Sequence, residues 1–401
     1  MPLYTVKNQD IERLRAVAVV AVFLQHIDNL TPIAPGYALI FNHITFWTGV
    51  DLFFAVSGFV VARSLLDSFG TNVTKRQILM AFFARRFFRL IPSAWLWLAI
   101  TLILYSFVIK SVPNAEPGTV LNGVVAAVMN ISNVFWYYCD PTAPIAPSMC
   151  PNGNTVAVYW SLSLEEQFYV VLALAACLCP LKKLTPVFTV MIVAQFFLPR
   201  TPFSLAWLLR TDAFFLGVMI CLLRRTVYAG AFDWLLSRIG RTGAIVVMAV
   251  ALSAIIFAPV QIPAVGCGIA AIGSGLLVLV ASSNFDLVPG GKFVAWIGSR
   301  SYAIYLIHFV VLALIREGLM RAGLFTEYTD WLTFIGLALF ALATTVLVAQ
   351  VNLVAVERPF RRLGYRISDR ILRGKPSIRS APIPTLRLSY RLLPSRTARR
   401  T

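Results

Sequence analysis

The chain has 401 residues, of which 59% are hydrophobic and only 13% charged, and its formal net charge is +18. An ordinary soluble domain carries about a quarter charged residues, so the composition excludes that class and indicates an integral membrane protein. Apolar runs of about 20 residues, the length a helix needs to cross the hydrocarbon core, recur along the chain. The shorter alternating segments of a transmembrane barrel do not. The expected fold class is therefore all-α: a polytopic bundle of membrane helices.

In chain order the apolar runs predict ten spans, at 11–30, 44–65, 91–110, 157–179, 184–200, 203–223, 243–260, 264–282, 301–320 and 331–355. No small-residue cleavage pattern follows the first run, so it reads as a retained span. An even number puts both termini on one side, and the basic residues say which. With the N-terminus cytoplasmic, Lys75, Arg76, Arg85, Arg86 and Arg89 fall in one inner loop. Later inner loops hold Lys182 and Lys183, then Arg224, Arg225, Arg238 and Arg241, then Lys292 and Arg300. The stretch Ser111–Val156 has no Lys or Arg and reads as an outer loop, with Arg200 and Arg321 the main outer exceptions. Val120–Trp136 is apolar but contains Asn122, Asn130 and Asn133. It is expected to be an outer or re-entrant helix, because counting it as a span would invert every later loop.

Residues 1–360 form the expected transmembrane domain and 361–401 a basic cytoplasmic tail, expected to be disordered. From Glu357 to Thr401 there are thirteen Lys or Arg and two acids. Such a cluster beside a last span suits the anionic lipids of the inner leaflet, and argues against nucleic acid as the partner. Cys177, Cys179, Cys221 and Cys267 lie in apolar runs and read as packing residues. Cys139 and Cys150 share the outer loop, where an oxidising compartment permits a disulfide. No Cys or His spacing suits a metal, and none is expected. Gly266, Gly268, Gly273 and Gly275 lack the strand–turn–helix context of a nucleotide fingerprint and read as close helix packing.

Ionisable groups inside spans are costly and therefore informative. Arg15 and His26 in the first span are eleven residues apart. They differ by about 20° around the helix and lie about 16 Å apart along it. Read blandly, Arg15 is an inner anchor and His26 a packing residue. Asp51, Glu165, Glu166, Arg210, Asp212, Tyr305 and His308 come to similar depths in other spans, and a purely structural ion-pair network also accounts for the charged ones. Arg85, Arg86 and Arg89 form an RRxxR cluster before the third span. Planar guanidinium forks suit phosphate, although simple anchoring explains them too. Together these groups suggest a reaction class. A phosphate-rich donor docks at the inner arginines and a neutral histidine further out takes a proton from a hydroxyl. Carboxylates orient that histidine. This is the skeleton of acyl transfer from a coenzyme A thioester to an alcohol; no GxSxG elbow offers a serine nucleophile.

The motifs IERLRAVAVVAVFLQH, GVDLFFAVSGF, RRFFRLIPSAW, WSLSLEEQFYV, the Arg210/Asp212 region, IGSRSYAIYLIH and VERPFRR occur in this order. In them the chain resembles the acyltransferase-3 family of integral membrane acyltransferases over about its first 365 residues. The family's Arg-x10-His pattern falls on Arg15 and His26, and its basic motif on Arg86 and Arg89. Ile307 and Phe309 stand where the family usually carries tryptophans. The resemblance implies acyl-CoA, most often acetyl-CoA, as donor. It also implies a hydroxyl acceptor on a surface or exported glycan or glycolipid, and residence in a bacterial inner membrane. On this reading Arg15, Arg86 and Arg89 hold the donor, and His26 is the general base or a transient acyl carrier. Asp51, Glu165 and Glu166 orient it, and Arg210, Asp212, Tyr305 and His308 line the acceptor site. The competing reading is a transporter or flippase with no covalent chemistry, since buried charges and many spans suit it too.

Overall fold

The computed structural model describes residues 8–40, 43–69, 73–139, 149–201, 204–226, 228–258 and 263–372. Helix α1 (Gln9–His26) starts where the Asn8 side chain accepts from the Ile11 N–H at 3.1 Å. Asp10 and Glu12 follow in the first turn, where acids suit the helix dipole. Helices α2 (Gly49–Leu66) and α3 (Lys75–Phe107) come next, the latter opened by a capping box of Thr74 and Gln77. The Asn-bearing apolar segment makes two short helices, α4 (Pro117–Val128) and α5 (Ser132–Tyr138). The remaining helices are α6 (Tyr159–Leu178), α7 (Leu181–Phe196), α8 (Asp212–Leu223), α9 (Tyr228–Ile256), α10 (Pro263–Ser282), α11 (Gly291–Gly298), α12 (Ser301–Arg321), α13 (Trp331–Asn352) and α14 (Arg358–Leu372). No strand occurs among the described residues, and one isolated bridge pairs Ile33 with Tyr328.

The fold is an all-α polytopic membrane bundle. Among the described residues, eight helical stretches are long and apolar enough to cross a membrane: α2, α3, α6, Leu205–Leu223, α9, Val265–Ser282, α12 and Trp331–Leu372. The other two expected spans are also helices. α1 carries Asp10, Glu12, Arg13 and Arg15 in its first two turns, and α7 has only 16 residues. Two boundaries differ from the sequence reading. α3 is a single helix of 33 residues, so Arg85, Arg86 and Arg89 stand on a helix and not in a loop. Nothing between the capping box and Pro92 interrupts its helical pattern, and Pro92 itself is accommodated inside it. At the C-terminal side a π-turn, Leu353–Glu357, joins α13 to α14. Residues 361–372, read from the sequence as the start of a disordered tail, are thus helical and pack along α3. The rest of that tail, 373–401, lies outside the described residues.

Two ends of the bundle can be told apart. At one, Arg13 reaches the carbonyls of Gly291 and Val288 at 3.0 and 2.9 Å, and Arg85 reaches Ser368 Oγ at 2.6 Å. At the other, Cys139 and Cys150 form a disulfide with Sγ atoms 2.06 Å apart, and Glu317 accepts the backbone N–H groups of Lys110 and Ser111 at 2.8 and 2.9 Å.

α2 and α8 cross closely in the core. A Cβ on Gly58 would lie 2.2 Å from the Phe214 carbonyl oxygen, and one on Gly217 would lie 2.1 Å from that of Ala55. Each glycine therefore lets the other helix's backbone approach. The same device recurs where Gly273 of α10 faces Ala251 of α9, with 2.7 Å from an added Cβ to the carbonyl oxygen. Gly58→Ala is expected to push α2 off α8. Overpacking of this kind costs about 1–3 kcal/mol, read as a lower melting temperature of the detergent-solubilised protein. An unchanged melting temperature would refute this crossing.

Candidate active site

Five helices turn one stripe each toward a common cleft. On α6 the stripe is Ser161, Glu165 and Tyr169, spaced four residues apart. On α12 it is Ser301, Tyr302 and Tyr305, and on α2 it includes Phe53, Ser57 and Val60. α3 adds Arg86 and Arg89, and α1 adds Arg15. Spacings of three and four are what one helical face requires. The cleft holds about 710 Å³ of empty space, part of it open to the exterior.

Its first end is cationic. Arg15 pairs with Glu12 at 3.0 Å. Arg86 is 8% exposed, and its guanidinium lies over the rings of Phe82 and Tyr169 at 5.7 and 5.2 Å. Neither Arg86 nor Arg89 has a hydrogen bond or ion pair with any described residue. Two guanidiniums thus face the cleft with their N–H donors unused. The Glu165 carboxylate, also in the wall, is taken up by Ser57 Oγ and the Tyr169 hydroxyl, which both donate to its Oε1.

Beyond this end the wall passes through Tyr305. Its hydroxyl donates to the Val158 carbonyl at 2.9 Å and meets Ser161 Oγ at 2.5 Å. One turn on along α12 lies His308, and beside it His26 at the end of α1. His26 Nδ1 and His308 Nε2 are 3.1 Å apart. His308 Nδ1 lies 2.8 Å from the Tyr305 carbonyl oxygen. A carbonyl only accepts, so His308 carries its hydrogen on Nδ1 and presents a bare Nε2. His26 must then donate from Nδ1, which leaves the lone pair of His26 Nε2 free. Phe309 packs on both rings, with centroids 4.6 Å from His26 and 4.8 Å from His308.

The sequence-predicted residues therefore sort into three places. Arg15, Arg86, Arg89, Glu165 and Tyr305 line the cleft. His26 and His308 form a pair beyond it. Asp51, Arg210 and Asp212 lie elsewhere, in a buried charge quartet with Arg200. Asp51 Oδ1 is 3.3 Å from Arg210 Nε, and Asp212 Oδ2 accepts from Arg200 Nη1 at 2.7 Å. The Arg210 guanidinium sits among Trp47, Trp160 and Trp207, at 5.1, 5.4 and 3.9 Å from their ring centres. Glu166 does not line the cleft, and its Oε1 is buried without a hydrogen bond. No hydrogen bond or ion pair joins His26 to Asp51, Glu165 or Glu166; the partner of His26 is a second imidazole. Ser57, Ser161, Tyr169 and Tyr302 are cleft residues that sequence reasoning missed. The four-residue spacing of Ser161 and Tyr169 about Glu165 was the available signal.

A family model for an acyltransferase domain, acyltransferase-3, matches residues 8–350. The chain belongs to the acyltransferase-3 family. This acyltransferase domain takes in all of the cleft and both histidines. The chain is 25% identical over 377 residues to the peptidoglycan O-acetyltransferase OatA of Listeria monocytogenes, across 88% of this chain and 56% of that protein. It is 26% identical over 167 residues to the O-acetyltransferase OatA of Staphylococcus aureus, across 41% of this chain and 24% of that one. The chain thus spans little more than half the length of the first of these relatives. No solved structure matches it.

Asp51→Asn leaves the fully buried Arg210 charge without its partner. Breaking a buried pair costs about 3–5 kcal/mol, so the yield of folded acyltransferase domain and its melting temperature are expected to fall sharply. Asp51→Asn with Arg210→Met removes both charges and is expected to recover much of that loss. Equal damage in the single and double variants would contradict the pairing.

Proposed function

We propose that the protein is a bacterial plasma-membrane O-acyltransferase. It moves an acyl group, acetyl by preference, from cytoplasmic acyl-CoA to a hydroxyl of an exported or surface glycan or glycolipid. The observation that carries this reading is the cleft itself. Unpaired guanidiniums of Arg86 and Arg89 stand at one end, and beyond Tyr305 at the other lies His26, with its Nε2 lone pair left free by His308. The donor's phosphates lie against Arg86, Arg89 and Arg15, whose guanidinium forks donate to two phosphate oxygens at once. The two ends are about 16 Å apart along α1, and the pantetheine arm spans that interval. The arginine end faces the cytoplasm with both termini, in keeping with the bias of basic residues.

His26 Nε2 takes the proton of the acceptor hydroxyl as its oxygen attacks the thioester carbonyl. The tetrahedral intermediate collapses, the carbon–sulfur bond breaks, and the imidazolium returns the proton to the departing thiolate. The products are the ester and free CoA. His308 is a positioning residue: its Nε2 holds the Nδ1 hydrogen of His26 and so fixes the tautomer. Glu165, held by Ser57 and Tyr169, places a negative charge between the arginines and the reacting end. The donor therefore does not slide toward the histidines on electrostatic grounds alone.

Radiolabelled acetyl-CoA added to inverted membrane vesicles from a bacterial host expressing the protein is expected to put label into the glycan or glycolipid fraction. His26→Ala should lower that transfer by roughly 10²- to 10⁴-fold, the usual worth of a general base. Movement of glycolipid across the vesicle membrane with no label transferred would overturn the enzyme in favour of a transporter. His308→Ala is expected to lower kcat roughly 10- to 100-fold with little change in KM for the donor. His308→Gln, which retains an acceptor, should recover part of it. Equal kcat for His308→Ala and wild type would remove His308 from the tautomer control.

A further inference from the structure

The C-terminal helix α14 runs antiparallel along α3 in a register fixed by four contacts. Arg85 Nη1 donates to Ser368 Oγ at 2.6 Å, and Gln77 Nε2 to the Ile371 carbonyl at 3.2 Å. The Phe88 and Phe360 rings stack with centroids 6.5 Å apart. Gly364 faces Ala84 and Phe88 so closely that an added Cβ would lie 3.2 Å from the Ala84 carbonyl oxygen and 2.8 Å from Phe88 Cβ. From Gln77 to Phe88 along α3 the contacts run back along α14 from Ile371 to Phe360. This register brings Arg361 level with Arg89.

We propose that Arg361 completes the anion seat at the mouth of the cleft and takes the donor phosphate farthest from the thioester, the 3′-phosphate of CoA. This rests on the reading of the donor as an acyl-CoA. The charges that act on Arg361 include Arg89, Glu357 and Arg15, so it belongs to the same cluster while standing outside the cleft wall. The local balance is cationic. Against Arg15, Arg86, Arg89 and Arg361 stand three carboxylates, and two of them are already engaged away from Arg86, Arg89 and Arg361. Glu12 pairs with Arg15, and Glu165 accepts from Ser57 and Tyr169. Glu357 accepts from Asn352 Nδ2 at 3.2 Å. Neither Arg86, Arg89 nor Arg361 has an ion pair with a described residue. Like charges gathered in a partly desolvated place are unfavourable unless an anion joins them. A polyphosphate ligand with one group set apart from the others suits four guanidiniums drawn from three helices.

The π-turn is what aims Arg361. A turn with one residue more than an α-turn rotates everything after it by about 100° relative to a straight continuation. It is locked by Asn352, which accepts from Trp97 Nε1 at 3.1 Å and donates to Ser93 Oγ at 3.1 Å. Ser93 lies one turn beyond Arg89 on α3, so the lock and the seat share a helix.

The test is binding of CoA and of 3′-dephospho-CoA to the purified full-length protein in detergent, with melting temperature measured on each variant. Wild type is expected to prefer CoA. Arg361→Ala should weaken CoA about tenfold, the worth of one charge-assisted contact, and leave 3′-dephospho-CoA within twofold. Arg361→Lys should keep part of the preference. Arg86→Ala, inside the cleft, should weaken both ligands. If Arg361→Ala weakens both ligands alike, or neither, the assignment of Arg361 is overturned while the donor reading stands. If wild type binds neither ligand, the donor reading fails and takes Arg361 with it.

Discussion

A charge held in an apolar bundle costs several kcal/mol unless something pairs with it, and this chain handles that constraint in two opposite ways. In the quartet of Asp51, Arg200, Arg210 and Asp212, two cations meet two anions and three tryptophans close over Arg210. The charges there balance one another within the chain, although Asp51, Arg200 and Arg210 keep buried oxygens and nitrogens without hydrogen bonds, and the quartet joins α2 to α8 close to their glycine crossing. In the cleft the opposite holds. Arg86 is buried with its donors unused by any described residue, and Arg89 has no hydrogen bond or ion pair with a described residue either. The first arrangement is the signature of a scaffold. The second is what the proposed donor site requires, its counter-charge coming with the ligand.

The cleft works because helices of different direction expose matching stripes at matching heights. α1 and α12 both run from the arginine end toward the histidines, so Arg15 and Tyr302 sit low and His26 and His308 sit high. α6 runs the other way, which brings Tyr169 to Arg86 and Ser161 to Tyr305. The one-residue shift made by the π-turn serves the same end at the C-terminal side.

Much of this was legible in the sequence, for identifiable reasons. Charge scarcity and run length imply the membrane bundle, and the eleven-residue spacing of Arg15 and His26 implies one face with two ends. The pairing of the charges was not legible. Asp51, Glu165 and Glu166 all lie within spans beside apolar residues, and nothing local distinguishes a carboxylate that meets Arg210 from one that meets Ser57 and Tyr169. The partner depends on which helix crosses at that height, and the crossing is set by glycines such as Gly58 and Gly217 whose contacts are distant in sequence. The expectation that a carboxylate steadies His26 failed for the same reason: α12 delivers an imidazole there. The continuity of α3 through its basic cluster also escaped, because runs of arginine read as loop in a topology count even where they continue a helix.

The imidazole pair has a consequence for timing. A histidine backed by a carboxylate forms a neutral ion pair when protonated and can hold its proton. His26 backed by His308 forms instead a net cation spread over two rings, in a setting where a lone positive charge is disfavoured. In the proposed transfer this ties proton uptake from the acceptor to prompt proton delivery to the leaving thiolate, so that bond making on one substrate stays in step with bond breaking on the other.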